Sequence, residues 1–596
     1  MKISYKNTRL ERGLIGANAL TAAVVVASFV SLFGFDKPLL AAWILYTIQV
    51  VCLALFVAEK ILRLFNADSK IEFWRANWFE IPLLLGLGIV VIGAGRWFSL
   101  SGTEAAIVQY FAIGLYLIVQ VVAKLCRTSV NLAASGKNPT RTLIASFLVL
   151  IISGAGLLML PAASAHGREN VGFIDALFTA TSATCVTGLI VKDTGQDFSV
   201  MGQVVILALI QLGGLGIVVF GAVFALLLGQ ALSVREQLAM QDLLSASTIS
   251  RIGNMITFIF FVTIIIEALG AVSLFGMWEG SIHHRWFCSV FHSISAFCNA
   301  GFSLFDTSFV EYNRSWQIYG VVCPLIILGG LGFSVLYDLT NIAADRVKRF
   351  FKMSFNKQYR FAMEAPKRMR LQTKIVLTVS AFLIVLGACA VLLFERYAAG
   401  PDGSRESSIV EMVTGAFFQS VTARTAGFNT VDISALSASS KFILILLMFI
   451  GGSPGSTAGG IKTVTLAVVL MTAVAALRRR HEVEMFRRSV RIVVVGRAIT
   501  VTLLFVAVLF SVTLVLSVTE NSSGFTMSDI MFEAGSALGT VGLTTGITPF
   551  LTTAGKMIII GTMLVGRLGP LTLLAALTFN LKPARYDYPD EAVIVG

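Results

Sequence analysis

Long apolar runs separated by short polar stretches dominate the first 135 residues. The runs lie at about 13–33, 40–58, 78–96 and 105–124, and each approaches the ~20 residues that a helix needs to cross a bilayer. Basic residues flank them on alternate sides, which predicts a cytoplasmic N-terminus. We therefore expect an N-terminal four-helix transmembrane module over residues 1–135. Its fourth run carries only Lys124 and Arg127, at the inner end, so the pattern favours a packing or assembly module over a voltage sensor.

From residue 140 the pattern repeats four times. Each unit contains a long apolar run, a shorter amphipathic stretch, a glycine-containing strand, an outer loop and a second long run. The predicted units are 140–245, 250–350, 370–480 and 488–582, followed by a cytoplasmic tail over 583–596. The sequence thus predicts an all-α integral membrane protein of about 12 spans. Its four tandem repeats would stand in pseudo-fourfold symmetry around a central pore.

The shorter amphipathic stretches are the main evidence for a central pore. They lie at about 172–183, 287–297, 409–421 and 526–537. At ~12 residues each is too short to span a bilayer, so we expect re-entrant pore helices. Irregular backbone at membrane depth is tolerated only where protein buries it or water reaches it. Four such strands therefore predict a shared, water-accessible centre.

The strands that follow, here called the glycine segments, are residues 184–190, 298–303, 422–430 and 538–545. Their key glycines stand at positions 188, 301, 427 and 542, so successive glycines are 113, 126 and 115 residues apart. A motif at near-constant spacing indicates an internal repeat. Thr540-Val541-Gly542 also matches the first three letters of the TVGYG loop, whose backbone carbonyls dehydrate potassium ions. Small residues in membrane helices also serve close packing, but four glycines in register favour a filter.

Backbone carbonyls explain why glycine is needed there. A dehydrated cation requires a cage of oxygens, and glycine can turn its carbonyl toward an axis without a steric penalty from Cβ. The predicted filter residues are Val186, Thr187, Gly188, Asn299, Ala300, Gly301, Thr425, Ala426, Gly427, Thr540, Val541 and Gly542. The predicted metal is potassium, held by backbone carbonyls.

Composition and charge agree with a membrane protein. The 596 residues are 56% hydrophobic and only 13% charged, about half the charge of a soluble chain. The net charge of +13 is concentrated in predicted cytoplasmic loops, with ten basic residues and one acid over 346–374 and seven arginines over 478–497. Because this bias is topological, nucleic-acid binding is not expected. Outer-loop acids (Asp193, Asp197, Asp306 and Asp432) either concentrate cations or are plain solvated residues.

Motifs in two of the repeats resemble those of the Trk/Ktr/HKT family of potassium and sodium uptake proteins, with the bacterial Ktr-type membrane subunit the nearest match. The likeness covers about residues 140–580 and is strongest over Thr179–Leu189 and Thr422–Thr430. In that family four filter glycines accompany potassium permeation, whereas serine in the first strand favours sodium. Gly188 therefore implies potassium. The module over residues 1–135 departs from the eight-span core of that subunit.

A glycine-rich stretch, Gly451–Gly460, interrupts the second long run of the third repeat. Gly451 to Gly455 satisfies GxSxG, the nucleophile elbow of serine hydrolases. That motif needs an acid and then a histidine downstream. The only downstream histidine, His481, stands in an arginine-rich run, so no enzyme is predicted. A broken helix lining a cavity fits better. The resemblance implies a gating loop of Gly451, Gly452, Ser453, Gly455, Gly459 and Gly460.

Two basic residues accompany that loop. Arg567 lies deep in the last apolar run, where an arginine is costly and normally faces a polar cavity. The resemblance implies that it faces the pore and raises the barrier to cations. Lys462 follows the loop and either does similar work or extends to the inner surface.

The remaining expectations concern partners, location and alternatives. By resemblance we expect a homodimer in lipid, in the plasma membrane (bacterial inner membrane), with both termini cytoplasmic. A TrkA/KtrA-like nucleotide-binding regulatory ring would dock on the basic loops. No bound cofactor is expected, and the transported ion is K⁺ or, alternatively, Na⁺. The histidines are scattered and form no ligand set, which argues against an enzyme. A secondary solute transporter with broken helices is a further alternative.

Overall fold

The computed structural model shows a helical protein. It describes residues 6–35, 37–71, 73, 80–93, 108–114, 116, 117, 120, 139–216, 222, 252–278, 284–355, 366–398, 408–480 and 482–577. The predicted tail over 583–596, much of the predicted span at 105–124 and residues 223–245 at the end of the first predicted unit lie outside the described residues. The all-α class of membrane protein predicted from the sequence is confirmed.

Three helices are described in the N-terminal module: α1 (Thr8–Phe33), α2 (Ala42–Asn66) and α3 (Glu80–Gly93). α1 and α2 are fixed to each other at one end, where the Asn7 N–H donates to Asn66 Oδ1 at 2.9 Å. Arg63 pairs with Glu59 at 2.7 Å and with Glu11 at 3.2 Å. The buried side chains of this module include Val25, Cys52, Phe56, Ile113, Tyr116 and Leu117.

Long and short helices alternate in the rest of the chain. The long helices that open each unit are α4 (Pro139–Leu158), α7 (Ile252–Leu274), α11 (Leu371–Ala398) and α15 (Ile492–Thr519). The short helices that follow them are α5 (Phe173–Thr184), α8 (Arg285–Cys298), α12 (Ile409–Thr422) and α16 (Met527–Gly539). Ser408 and Thr526 cap two of the short helices by accepting hydrogen bonds from Val410 N–H and Asp529 N–H. Each short helix ends directly before or within its glycine segment.

The second apolar run is interrupted in the second, third and fourth units, and in the first its helix ends at Leu215, whereas the sequence analysis placed a break only in the third. The helices are α6 (Val200–Leu215), α9 (Cys323–Leu331), α10 (Phe333–Phe355), α13 (Ala438–Phe449), α14 (Thr463–Leu477), α17 (Thr553–Leu568) and α18 (Pro570–Leu577). α9 and its preceding π-helical turn meet α10 at an angle of 103°. Glycines with positive φ end three of these helices: Gly216 (+82°), Gly332 (+88°) and Gly569 (+83°). Only glycine adopts this conformation without strain, so a continuous helix is disfavoured there.

A short sequence pattern accompanies these three breaks. Gly213-Gly214-Leu215-Gly216, Gly329-Gly330-Leu331-Gly332 and Gly566-Arg567-Leu568-Gly569 share a glycine at each end. A Cβ on Gly213, Gly329 or Gly566 would overlap the carbonyl oxygen of Thr184, Phe297 or Leu538, respectively. The first glycine of each pattern therefore allows the broken helix to approach the end of the unit's own short helix.

Five helices among the described residues are long and apolar enough to cross a membrane, and the bent pair around Gly332 makes a sixth candidate. The total of about 12 spans stays a prediction. On the basic stretch over 478–497 the structure has a hairpin of β1 (Val483–Met485) and β2 (Arg488–Val490). Val483 pairs with Val490 in this antiparallel hairpin, and Val483 and Met485 are buried against α14 and α15 residues.

Candidate functional site

The four glycine segments share one backbone conformation. Two residues before each key glycine stands a non-glycine residue in the left-handed region: Val186 (φ +57°), Asn299 (+59°), Thr425 (+74°) and Thr540 (+49°). The glycines themselves have φ of +93° (Gly188), +70° (Gly301), +82° (Gly427) and +95° (Gly542). Left-handed non-glycine residues are uncommon and cluster at functional sites. Their recurrence at one register shows that the four segments are built alike.

The backbone N–H groups of these segments bond to their own short helices. The residue before each key glycine donates to a carbonyl near the helix end, at 2.7–2.9 Å: Thr187 N to Ser182 O, Ala300 N to Ser295 O, Ala426 N to Thr422 O and Val541 N to Ser536 O. The carbonyls of these same four residues accept no hydrogen bond from any residue that the structure describes. Buried carbonyls normally have a partner. These four are available to a water or a cation.

The key glycines contact one another in a closed order. A Cβ built on Gly188 would lie 2.5 Å from Ala300 O and 3.0 Å from Gly301 Cα. One on Gly301 would lie 2.8 Å from Ala426 O and 2.9 Å from Gly427 Cα. The order continues, because a Cβ on Gly427 would lie 3.2 Å from Gly542 Cα and a Cβ on Gly542 would lie 3.0 Å from Gly188 Cα. The four segments therefore lie together, and each glycine abuts the free carbonyl of the next segment.

Threonine hydroxyls add to the polar character of this ring. Thr187, Thr425 and Thr540 are fully buried, and their Oγ1 atoms have no hydrogen-bond partner among the described residues. A buried hydroxyl without a partner costs free energy unless a ligand or water meets it. All twelve residues predicted for the filter thus belong to one compact cluster of segments.

The intramembrane loop, residues 450–462 between α13 and α14, lies directly beside this ring. A Cβ on Gly459 would lie 3.1 Å from Thr540 Cβ, so the loop contacts the fourth glycine segment. Its backbone bonds within its own unit and also to the broken helix of the second unit: Ser453 N donates to Gly330 O at 3.0 Å, and Phe333 N donates to Gly455 O at 2.9 Å. The loop is therefore held by other units as well as its own.

Arg567 joins this loop to the first unit. Its guanidinium donates to Thr457 O in the loop and to Gly213 O, with a further contact of 3.2 Å to Gly214 O. No ion pair among the described residues gives it a carboxylate partner. Its positive charge is thus compensated only by backbone dipoles, and it stands in the pattern position that Gly214 and Gly330 occupy in other units. The structure thus shows Arg567 in contact with backbone carbonyls of the loop and of the first unit, and its facing a polar cavity stays a prediction.

Lys462 takes only one of the two expected courses, and Arg424 is a buried basic residue that the sequence analysis missed. The Lys462 ammonium donates to Ala458 O at 2.7 Å and is 3.5 Å from Gly459 O, so it turns back onto its own loop rather than extending to the inner surface. Arg424 was not selected as a site residue. It is buried after the end of α12 and donates to Ser380 O and Oγ at 3.3 and 3.1 Å. Arg424 and Gly452 also line a small cavity of about 20 Å³.

Outer-loop acids of two units meet. Gln196 Nε2 lies 3.4 Å from Asp306 Oδ2, while Asp193 Oδ1 accepts hydrogen bonds from Gly195 N and Gln196 N. Burial raises the pKa of Asp193, and the nearby carboxylates of Asp306 and Asp197 raise it further against those two hydrogen bonds. Asp432 instead bonds locally to Ser434. Only part of the predicted acid set therefore forms a shared negative region.

A helical membrane protein with free carbonyls at membrane depth belongs, by its architecture, to the class of ion-transport proteins. The comparison with protein families agrees: the model for TrkH, described as a cation transport protein, matches residues 105–584. The chain belongs to this family, so it is a cation transport protein and not an enzyme. The resemblance found in the sequence is confirmed.

Individual relatives cover most of the chain. The Ktr system potassium uptake protein B of Bacillus subtilis is 38% identical over 465 residues, which are 77% of this chain and 97% of that protein. The potassium/sodium uptake protein NtpJ of Enterococcus hirae is 36% identical over 471 residues, with the same two coverages. The crystal structure of the potassium transporter TrkH from Vibrio parahaemolyticus aligns with a TM-score of 0.58 at 19% identity, covering 84% of this chain and 96% of that chain. The last comparison shows a shared fold.

Proposed function

We propose that the protein takes up potassium across the plasma membrane through one pore per chain. The filter would consist of the carbonyls of the twelve predicted residues: Val186, Thr187, Gly188, Asn299, Ala300, Gly301, Thr425, Ala426, Gly427, Thr540, Val541 and Gly542. One observation carries the proposal: four like segments contact in a closed order, and the carbonyl before each key glycine has no partner among the described residues. A ring of carbonyls can replace the hydration shell of a cation.

The closed order also supports pseudo-fourfold symmetry around the pore and the unit boundaries 140–245, 250–350, 370–480 and 488–582. Each unit contributes one short helix and one glycine segment. Residues 1–135 would then be an accessory assembly module. The family match begins at residue 105, so most of this module lies outside it.

The intramembrane loop and Arg567 form the proposed gate. The predicted gate residues of the loop (Gly451, Gly452, Ser453, Gly455, Gly459, Gly460 and Lys462) all lie within 450–462, next to Thr540. Arg567 fastens the loop to the first unit and adds a positive charge next to the filter. A fixed positive charge close to the path raises the barrier for a cation. Flow would require the Arg567 contacts to break.

A sodium-permeable pore is the second candidate, favoured by the similarity to a relative named for both potassium and sodium uptake. The glycine at position 188 favours potassium, because the family resemblance associates serine there with sodium. A secondary solute transporter is less well supported, because such a protein would not need four matching glycine segments.

Assembly and regulation extend the proposal. We propose a homodimer in the bacterial inner membrane with cytoplasmic termini and a nucleotide-binding ring on its cytoplasmic face. The described arginines of the hairpin support a docking surface for this ring, because Arg479, Arg487 and Arg488 are exposed and without carboxylate partners in the described part of the chain. Such charges steer acidic partners.

Uptake of rubidium or potassium tests the pore directly, in cells that lack their own potassium uptake systems. We expect uptake by the wild type and a loss of about tenfold or more in Gly188→Ser and Gly542→Ser, because an added side chain overlaps the neighbouring carbonyl and strains a positive-φ residue. Gly156→Ser and Gly561→Ser are matched controls, since a Cβ on either meets nothing within 4 Å. The pore proposal fails if the wild type does not transport, or if the filter variants behave like the controls.

A further inference from the structure

Two buried titratable side chains, His292 and Glu533, take no part in the site described above. His292 lies on α8 and Glu533 on α16, each nine residues before the key glycine of its own segment. Both side chains are fully buried. Since the two helices are built alike, this shared register places both side chains beside the chain that leaves the glycine segment.

His292 fixes the chain that follows Gly301. Its Nδ1 lies 2.8 Å from the Cys288 carbonyl oxygen, which can only accept, so Nδ1 carries the proton. Nε2 is then the acceptor, and it receives the Leu304 N–H at 3.3 Å and the Ser303 hydroxyl at 3.1 Å. These partners stand two and three residues beyond the key glycine. The neutral imidazole thus connects the short helix to the far end of the segment.

Glu533 connects its short helix to the chain that follows Gly542. Its carboxylate accepts hydrogen bonds from Thr544 Oγ1 at 2.9 Å and from Thr548 Oγ1. Thr544 stands two residues beyond the key glycine, as Ser303 does in the second unit, and its hydroxyl also accepts the Gly546 N–H at 3.0 Å.

The other two units have no such anchor at this position; in the third, the Thr422 hydroxyl at the end of α12 donates to Phe428 O at 2.7 Å instead. Thr179 occupies the same position on α5, but its hydroxyl donates to Asp175 O within its own helix at 2.9 Å. Phe418 occupies it on α12 and has no polar atom to offer. In the closed order of the ring, Gly301 and Gly542 each contact both Gly188 and Gly427, so they lie on one diagonal. The polar anchors therefore hold a single diagonal pair of segments.

We propose that His292 and Glu533 are positioning residues that determine the preference of the filter for potassium over sodium. This inference rests on the proposed pore. By fixing the ends of two opposite segments, the anchors set the distance between their carbonyls and limit how far the cage contracts. Without the anchors the cage can contract further, and a contracted cage fits the smaller sodium ion better. Loss of the anchors therefore favours sodium.

The test compares potassium and sodium uptake by the full-length protein in cells without their own uptake systems. We expect Glu533→Ala and His292→Ala to raise the sodium-to-potassium ratio of Vmax/KM about fivefold. The changes Glu533→Gln and His292→Gln have a smaller effect, since an amide oxygen still accepts a hydrogen bond. Thr179→Val is the matched control and leaves the ratio unchanged, because its hydroxyl bonds only within α5.

A merely structural role would lower uptake of both ions in the same proportion, and that result overturns the inference. So does an equal shift of the ratio in Thr179→Val. If the Glu533→Ala protein does not accumulate, Thr544→Val takes its place in the test, because it removes the hydrogen bond between Thr544 and Glu533 by removing the donor. The rises in melting temperature that potassium and sodium cause in the purified protein give a second, independent measure of the preference between the two ions. A wild type that does not discriminate between the two ions also overturns the inference. A wild type that transports neither ion, or a Gly542→Ser variant that equals it, overturns the pore instead.

Discussion

The glycine segments and the intramembrane loop lie against each other, yet they are held differently. In each segment the N–H group before the key glycine bonds to the segment's own short helix, within a few residues along the chain. The loop has bonds within its own unit but also depends on distant residues: Gly330 O accepts from Ser453, and Arg567 donates to Thr457 O across 110 residues. Locally held backbone keeps its shape when neighbouring units move, whereas the loop depends on contacts that such movement breaks.

This difference separates selection from gating. The ring can remain intact while the loop shifts, because no backbone hydrogen bond from the loop to the segments is found among the described residues. Contact between Gly459 and Thr540 is one of packing only. Variants of the loop are therefore expected to change the amount of flux, and variants of the ring or its anchors to change which ion passes.

The largest effect is expected from Arg567→Ala. Removing the positive charge and its bonds to Thr457 O and Gly213 O lowers the barrier and frees the loop, so passive potassium flux rises about tenfold. The potassium-to-sodium ratio stays at its wild-type value. Rubidium flux into vesicles containing the purified protein measures both quantities.

Arg567→Lys separates the effect of the positive charge from the effect of the hydrogen bonds that join the loop to the first unit. Lysine keeps the charge but lacks the planar fork that reaches carbonyls on both sides, so its flux should fall between those of the wild type and Arg567→Ala. Unchanged or reduced flux in Arg567→Ala would contradict the gate, and an altered ion ratio would contradict the separation of the two regions.

A smaller effect is expected from Lys462→Met. Methionine keeps an apolar stem but loses the hydrogen bond to Ala458 O, so the loop is loosened while Arg567 still holds it. We expect flux to rise about twofold, in line with the loss of one hydrogen bond. The half-buried Ser456, changed to cysteine, should react faster with a thiol reagent in this background. Lys441→Met, in the same unit but outside the loop, is the control; equal labelling in the two variants would argue against a loop held by Lys462.

The smallest effect is expected at the outer mouth. Since burial raises the pKa of Asp193, its folded form binds a proton more tightly than the unfolded chain does. The resulting stabilisation is complete below the ordinary aspartate pKa and is lost as pH rises through the raised value. Asp193→Asn keeps an oxygen for the Gly195 and Gln196 N–H groups but removes this pH dependence. Its melting temperature should therefore exceed that of the wild type slightly at neutral pH and not in acid; a gain at both pH values would contradict this origin.

Much of the helical layout could be predicted from local sequence. The short helix α8 covers Arg285–Cys298 where the apolar pattern predicted 287–297, and α16 covers Met527–Gly539 where it predicted 526–537. The breaks at Gly332 and Gly569 were missed. Apolar residues continue on both sides of these glycines, so hydropathy indicates one run, and only the backbone φ reveals the bend.

The sequence by itself determined the membrane class, the four short helices and the recurring glycines, because these follow from hydropathy, length and the conformational freedom of glycine. Only the tertiary structure decided which atoms meet. It closed the order of Gly188, Gly301, Gly427 and Gly542, turned Lys462 onto its own loop and joined Arg567 to Thr457. It also brought the anchors on α8 and α16 to the ends of their segments. Such contacts join residues far apart in the chain, and their partners are backbone oxygens, which every residue carries and no sequence pattern marks.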